Sequence, residues 1–196
     1  MIAPHNMTLA LQLLWLALPI VAAGLVHLVV LKLDLLPGLR RLPIDGGLTF
    51  RGRRLFGDNK TWRGVVVTVG TTTVAAWLLA HLHDCCWPLP TLVPFAETYP
   101  LAWGLLLGTG YIVGELPNSF AKRQLGIAPG AYGQGASGRV FWVVDQLDSL
   151  AGMLLFIAPV WRPSLGLLAL IVAIMLVAHP VGAWIMVLFG LKDRVG

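Results

Sequence analysis

An all-α integral membrane protein of about five transmembrane helices is the fold class this sequence predicts, on three observations. The 196 residues are 57% hydrophobic and only 12% charged, with a mean hydropathy of +0.79, a balance that a water-soluble domain of this size cannot bury in one core. Five stretches approach the length of about 20 apolar residues that a spanning helix needs. The basic residues crowd into alternate connections between them.

The stretches are Leu11 to Leu31, Gly64 to Leu82, Leu101 to Leu116, Val140 to Trp161 and Leu165 to Phe189. They fill residues 1–196 as a single membrane domain, with two long polar connections at 32–63 and 117–139. No basic segment precedes Leu11 and no small-residue cleavage site follows it, so the first stretch reads as an anchor and not a removable leader. The third is short and glycine-rich with Glu115 near its end, and the fourth carries two aspartates, so both should score poorly on a hydropathy window.

The net charge of +5 would suggest nucleic acid in a soluble protein, but the placement of the charges explains them as an orientation signal, and no nucleic acid partner is expected. Lys32, Arg40, Arg41, Arg51, Arg53, Arg54, Lys60 and Arg63 lie in or beside the first connection, and Lys122, Arg123 and Arg139 in or beside the third, whereas the second has only Asp84 and Glu97. The N-terminus should then be outside, and both polar connections and the C-terminal Lys192 and Arg194 cytoplasmic. Arg162, in the outer turn before the last stretch, dissents. Cys85 and Cys86 are adjacent, which is neither a metal-ligand spacing nor a disulfide framework. No internal repeat is found.

Asp145 and Asp148 lie three residues apart inside the fourth stretch, a spacing that puts side chains about 5–6 Å apart on one helix face. Each aspartate at membrane depth costs about 2.5–3.5 kcal/mol on insertion scales, so something must offset the pair. A hard divalent cation such as Mg2+ would, because it takes carboxylate oxygens and keeps positions for water and phosphate. The competing reading is a wetted pair near the membrane mouth, packed beside Arg139 or another base.

A second signal is Gly57-Asp58-Asn59-Lys60-Thr61-Trp62-Arg63-Gly64. Lys60 and Arg63 suit phosphate oxygens, and Asn59 and Thr61 are hydrogen-bond donors ahead of a helix start. Arg51, Arg53 and Arg54 upstream fit phosphate binding and lipid-headgroup contact equally. The third signal is Glu115-Leu-Pro117-Asn118-Ser119-Phe-Ala-Lys122-Arg123, where Pro117 should break or kink the helix so that Asn118, Ser119, Lys122 and Arg123 line a polar cavity. Gly133-Gln-Gly135-Ala-Ser-Gly138 matches the dinucleotide pattern by letters alone, since no strand should precede it. His27, His81, His83 and His179 lack a ligand set around them and read as structural.

Together the GDNKTWRG, ELPNSFAKR and VDQLDS segments, in this order, resemble the CDP-archaeol synthase family, relatives of the phosphatidate cytidylyltransferases. The resemblance covers about Lys32 to Gly152. It implies Mg2+-dependent transfer of CMP from CTP to a membrane lipid phosphate, giving a CDP-lipid and pyrophosphate for phospholipid biosynthesis. Asp145 and Asp148 would be the metal and catalytic pair, with Lys60 also catalytic. Asp58, Asn59, Thr61, Arg63, Asn118, Ser119, Lys122 and Arg123 would bind substrate. The K-D and H-G-G elements of the phosphatidate enzymes are missing, which weighs against a phosphatidate acceptor without excluding it. The implied setting is the plasma membrane, multi-pass, with the active site facing the cytoplasm; a homodimer is compatible with it.

The residue inventory suits this chemistry, because a lipid phosphate needs no protein nucleophile, and positioning and charge neutralisation carry such transfers. CDP-alcohol phosphotransferases continue their motif with two further aspartates, yet after Asp148 the next acidic residue is Asp193. The asparagine-rich element of the small acyl-phosphate acyltransferases is absent as well. From a different class, a transporter or channel would use Glu115, Asp145 and Asp148 as an ion relay.

Overall fold

The apolar stretches fold as long helices, because a chain in lipid must satisfy its backbone polar groups internally. The computed structural model describes residues 4–86, 91–93, 99–131 and 133–190; Glu97, Lys192 and Arg194 and the side chain of His179 lie outside the described part. Five long helices, α1 (Pro4–Lys32), α3 (Trp62–Cys85), α4 (Pro100–Gln124), α5 (Gly135–Ile157) and α6 (Leu165–Leu188), are joined by a short α2 (Pro37–Arg40) and a hairpin of β1 (Thr49–Phe50) and β2 (Arg53–Arg54) in the first connection. α1, α3, α5 and α6 are long and apolar enough to cross a membrane. The two aspartates therefore do not disqualify α5, since the apolar residues around them carry the window; α4 is the helix too polar to qualify.

The expected break at Pro117 does not occur. α4 runs through it to Gln124, so Asn118, Ser119, Lys122 and Arg123 are helical and not part of a loop. The helix ends instead where Gly126 takes φ +75°, its N–H bonding to the Arg123 carbonyl and that of Ile127 to the Lys122 carbonyl, at 3.0 and 2.9 Å. This is the paired C-terminal bonding that a left-handed glycine permits.

α4 is the central helix, and glycine sets how closely it is approached. On one face a Cβ at Gly104 would lie 2.7 Å from the Thr72 carbonyl oxygen of α3, and one at Gly108 would lie 2.8 Å from the Val69 Cα. On another, a Cβ at Gly110 would lie 2.7 Å from the Gly152 carbonyl oxygen of α5, and one at Gly114 2.9 Å from the Gly152 Cα. Trp103, Leu107, Leu150, Met153 and Ile157 fill the core beside these crossings, with Trp161 edge-on to Trp103 at 6.1 Å. The Thr72 and Thr73 hydroxyls donate to the carbonyls of Thr68 and Val69. Cys85 and Cys86 are bonded to each other. A bridge between neighbours closes no chain segment, so it fastens nothing else in the fold.

Candidate active site

The close contact of α4 with α5 brings together side chains that are separated in sequence. Asn118 is buried on α4, and its Nδ2 donates to Asp145 Oδ1 and to Asp148 Oδ2 of α5, the latter at 2.7 Å. One amide thus spans both carboxylates and holds them convergent. Lys122, one turn further along α4, donates from Nζ to both oxygens of Asp145 at 2.6 Å. Asp148 also accepts from the Ser149 N–H at 2.6 Å and from Ser149 Oγ at 3.1 Å. The Ser149 hydroxyl lies 3.3 Å from Glu115 Oε1, and the other oxygen of Glu115 pairs with Lys60 at the entrance to α3. A continuous polar chain therefore runs from Lys60 through Glu115, Ser149, Asp148, Asn118 and Asp145 to Lys122, linking the segment ahead of α3 with α4 and α5.

This arrangement offsets the burial cost of the acidic pair in two ways: Lys122 neutralises Asp145, and amide and hydroxyl groups hold Asp148. It also fits a hard cation. The two carboxylates converge on one amide and offer oxygen donors, and Asn118 Oδ1 is buried without a hydrogen-bond partner. Among the described residues no group of three His, Cys, Asp or Glu side chains could hold a metal. Two carboxylates with substrate phosphates completing the shell is the usual way magnesium is held.

A second cation lies beside the glycine turn. Arg123 is buried, and its Nη2 donates to the Ala128 carbonyl at 3.1 Å, while Nε and Nη1 are buried without partners. Gly57, at φ +96°, lies directly under it: a Cβ there would meet Arg123 Nη1 at 3.1 Å and Asn59 Oδ1 at 3.2 Å. The turn before Lys60 thus presents a buried guanidinium with unused donors next to an asparagine side chain.

The other expected residues lie apart from this chain. Arg63 is buried but turned toward the end of α1, where it meets Asp34 at 2.9 Å and the Leu35 carbonyl at 3.4 Å. Asp58 is 82% exposed and paired with Arg54. Thr61 precedes α3, where its side chain makes no capping bond, and both it and Ser119 are half-buried. Sequence reasoning left out Ser149, which had no signal beyond adjacency to Asp148. Glu115, an acid inside an apolar stretch, carried a visible flag and opened the third signal, but was given no place among the substrate-binding residues.

The first connection carries its own buried charge. Asp45 is 5% exposed; it accepts from Arg54 Nη2 at 2.7 Å, from the Phe56 N–H at 3.1 Å and from the Gly47 N–H at 3.0 Å. Burial alone would push its carboxyl up, but the Arg54 guanidinium and the two N–H groups outweigh that and hold it below the usual carboxylate range. This knot fixes the hairpin and, through Arg54, the strand of chain that leads to Gly57.

Fold and site define a class of multi-pass membrane protein in which a carboxylate pair and buried cations gather where membrane helices meet. The sequence pattern of the CDP-archaeol synthase (CarS-like) family matches residues 6–195, and the chain belongs to that family. It is similar to the CDP-archaeol synthase of Halobacterium salinarum, at 37% identity over 78% of this chain and 68% of the relative, and to that of Pyrococcus furiosus, at 34% over 70% and 73%. That of Methanosphaerula palustris is 33% identical over 59% of this chain, which spans 62% of that relative. A solved structure of an intramembrane enzyme for archaeal membrane lipid biosynthesis has the same fold, with a TM-score of 0.59 and 24% identity over 86% of this chain and 90% of that one. The chain is accordingly a multi-pass membrane enzyme, a CTP-dependent cytidylyltransferase acting on a lipid phosphate, and the ion-relay alternative gives way to it.

Proposed function

We propose that the acceptor is the phosphate of an archaeal-type ether lipid, that Mg2+ is held by Asp145 and Asp148, and that the reaction takes place at the cytoplasmic face of the plasma membrane. The observation that carries this reading is the Asn118-bridged carboxylate pair lying between Lys60 and Lys122. An oxygen of the lipid phosphate attacks the α-phosphorus of CTP. The new P–O bond forms as the α–β anhydride breaks, and pyrophosphate leaves with the bonding electrons. Lys60 and Arg123 neutralise triphosphate oxygens, Asn59 and Thr61 donate hydrogen bonds to them, and Asn118 and Lys122 keep the carboxylates in register. Ser119, Asp58 and Arg63 lie apart from the polar chain and are given no contact with the phosphates in this reading. Bound Mg2+ supplies charge neutralisation at the phosphates.

Purified protein with labelled CTP, Mg2+ and a panel of archaeal ether-lipid phosphate, phosphatidate and polyprenyl phosphate tests the acceptor directly. The ether lipid should release pyrophosphate fastest; faster release with phosphatidate would overturn the acceptor assignment. Asp148→Asn should lower turnover by roughly a thousandfold, about 4 kcal/mol in the barrier, while the protein remains inserted and helical. Unchanged turnover would remove the metal role from Asp148.

A further inference from the structure

The first connection exposes apolar and basic side chains side by side. Leu33, Leu42, Leu48 and Phe50 are between 46% and 65% exposed, and Arg40, Arg41, Arg51 and Arg53 are exposed among them. The two acids of this stretch are already engaged: Asp34 faces Arg40 and Arg63, and Asp45 is buried under Arg54. The surface therefore carries an arginine surplus interleaved with large apolar groups, the composition of a segment lying in a membrane interface.

Its position agrees. Leu33 directly follows the end of α1. The Trp62 N–H bonds to the Leu42 carbonyl and the Ile44 N–H to the Lys60 carbonyl, both at 2.9 Å, so residues 42–44 run beside the start of α3. The hairpin leans on the end of α4, with Phe50 and Phe120 ring centroids 5.9 Å apart and Arg53 bonded to the Gln124 carbonyl. The turn at its tip, Arg51-Gly52, has both residues at positive φ, which holds the Arg51 guanidinium 5.2 Å from the Phe50 ring. The segment is thus fixed at the level where three helices end or begin.

We infer that residues 33–53 form a platform in the headgroup layer of the adjoining leaflet, which binds anionic lipid headgroups through Arg41, Arg51 and Arg53 and inserts Leu42, Leu48 and Phe50 among the upper acyl chains. Charge complementarity selects the occupant, since an arginine-rich apolar face suits a negatively charged lipid surface better than a second copy of the same cationic face. The platform is continuous with the site through Arg54, which joins Asp45 to Asp58 ahead of Lys60.

The test uses the full chain in lipid nanodiscs, with a spin label at Leu48→Cys in a Cys85→Ser/Cys86→Ser background. In discs containing anionic lipid the label should be accessible to oxygen and shielded from a water-soluble nickel chelate. Arg41→Ser/Arg51→Ser/Arg53→Ser should abolish that shielding, and lysine at the same three positions should restore it. Chelate access equal to that of a water-exposed loop overturns the platform, and so does shielding from both reagents, which marks contact with a second copy. Shielding indifferent to anionic lipid and to loss of the arginines overturns the headgroup recognition.

Discussion

Glu115 stands between Lys60 and Ser149, with its carboxylate about one-fifth exposed, as is the lysine it pairs with. Such a pair holds more tightly than one at a solvated surface, because less water competes for either charge. On this geometry it holds the Lys60 ammonium in one place, since without it the lysine stem has several rotamers open. Glu115→Gln keeps the acceptor for Ser149 and removes the charge facing Lys60. We expect kcat/KM for CTP to fall by roughly tenfold, about 1.4 kcal/mol, with thermal unfolding little changed and partial recovery in Glu115→Asp. Unaltered kcat/KM would show that Lys60 needs no such partner. Arg123 makes the complementary point: its unpartnered Nε and Nη1 under the Gly57 turn are an unmet demand for acceptors that substrate oxygens would satisfy.

At the scale of elements, α4 does two jobs along one helix. Ahead of Glu115 it uses Gly104 and Gly108 against α3 and Gly110 and Gly114 against α5, and its last two turns carry Asn118, Lys122 and Arg123. The glycine crossing is what lets a short asparagine reach two carboxylates on the neighbouring helix. Gly152→Val should force α4 and α5 apart, since a Cβ at Gly152 already meets the Gly114 nitrogen at 2.7 Å. The expected result is a destabilisation of about 1–3 kcal/mol and loss of turnover in a protein that still inserts; full activity would mean that the crossing does not set the site. The hairpin element depends on pH. Because the Asp45 pKa is depressed on folding, its contribution is fully present above the ordinary carboxylate value of 3.8 and is lost as pH falls from there through the lower folded value. Hydrogen exchange of residues 45–58 should therefore quicken on that descent, and Asp45→Asn should show fast exchange already at neutral pH. Equal protection in both proteins would remove Asp45 as the fastener.

For the whole molecule, the apolar stretches and the acidic pair were legible in the sequence because each is a local property: twenty apolar residues in a row, or two acids three apart, announce themselves without partners, whereas much of the connection expected at 117–139 is helical. The three motifs in order carried the family for the same reason. Of the break or kink expected at Pro117 the break is absent, since α4 continues to Gln124; a membrane helix tolerates a proline where the freed backbone groups find other partners. The membership of the site was equally hidden: that Lys60, just ahead of α3, reaches Glu115 of α4 while Arg63, in the first turn of α3, turns to Asp34 depends on how α1, α3 and α4 are placed against one another. The sequence by itself determined that this chain lives in lipid and carries carboxylates costly enough to demand partners. Only the tertiary structure decided which partners they have, because glycine-mediated contact between α4 and α5 brings Asn118 and Lys122 onto the carboxylates, and no local pattern encodes that distance.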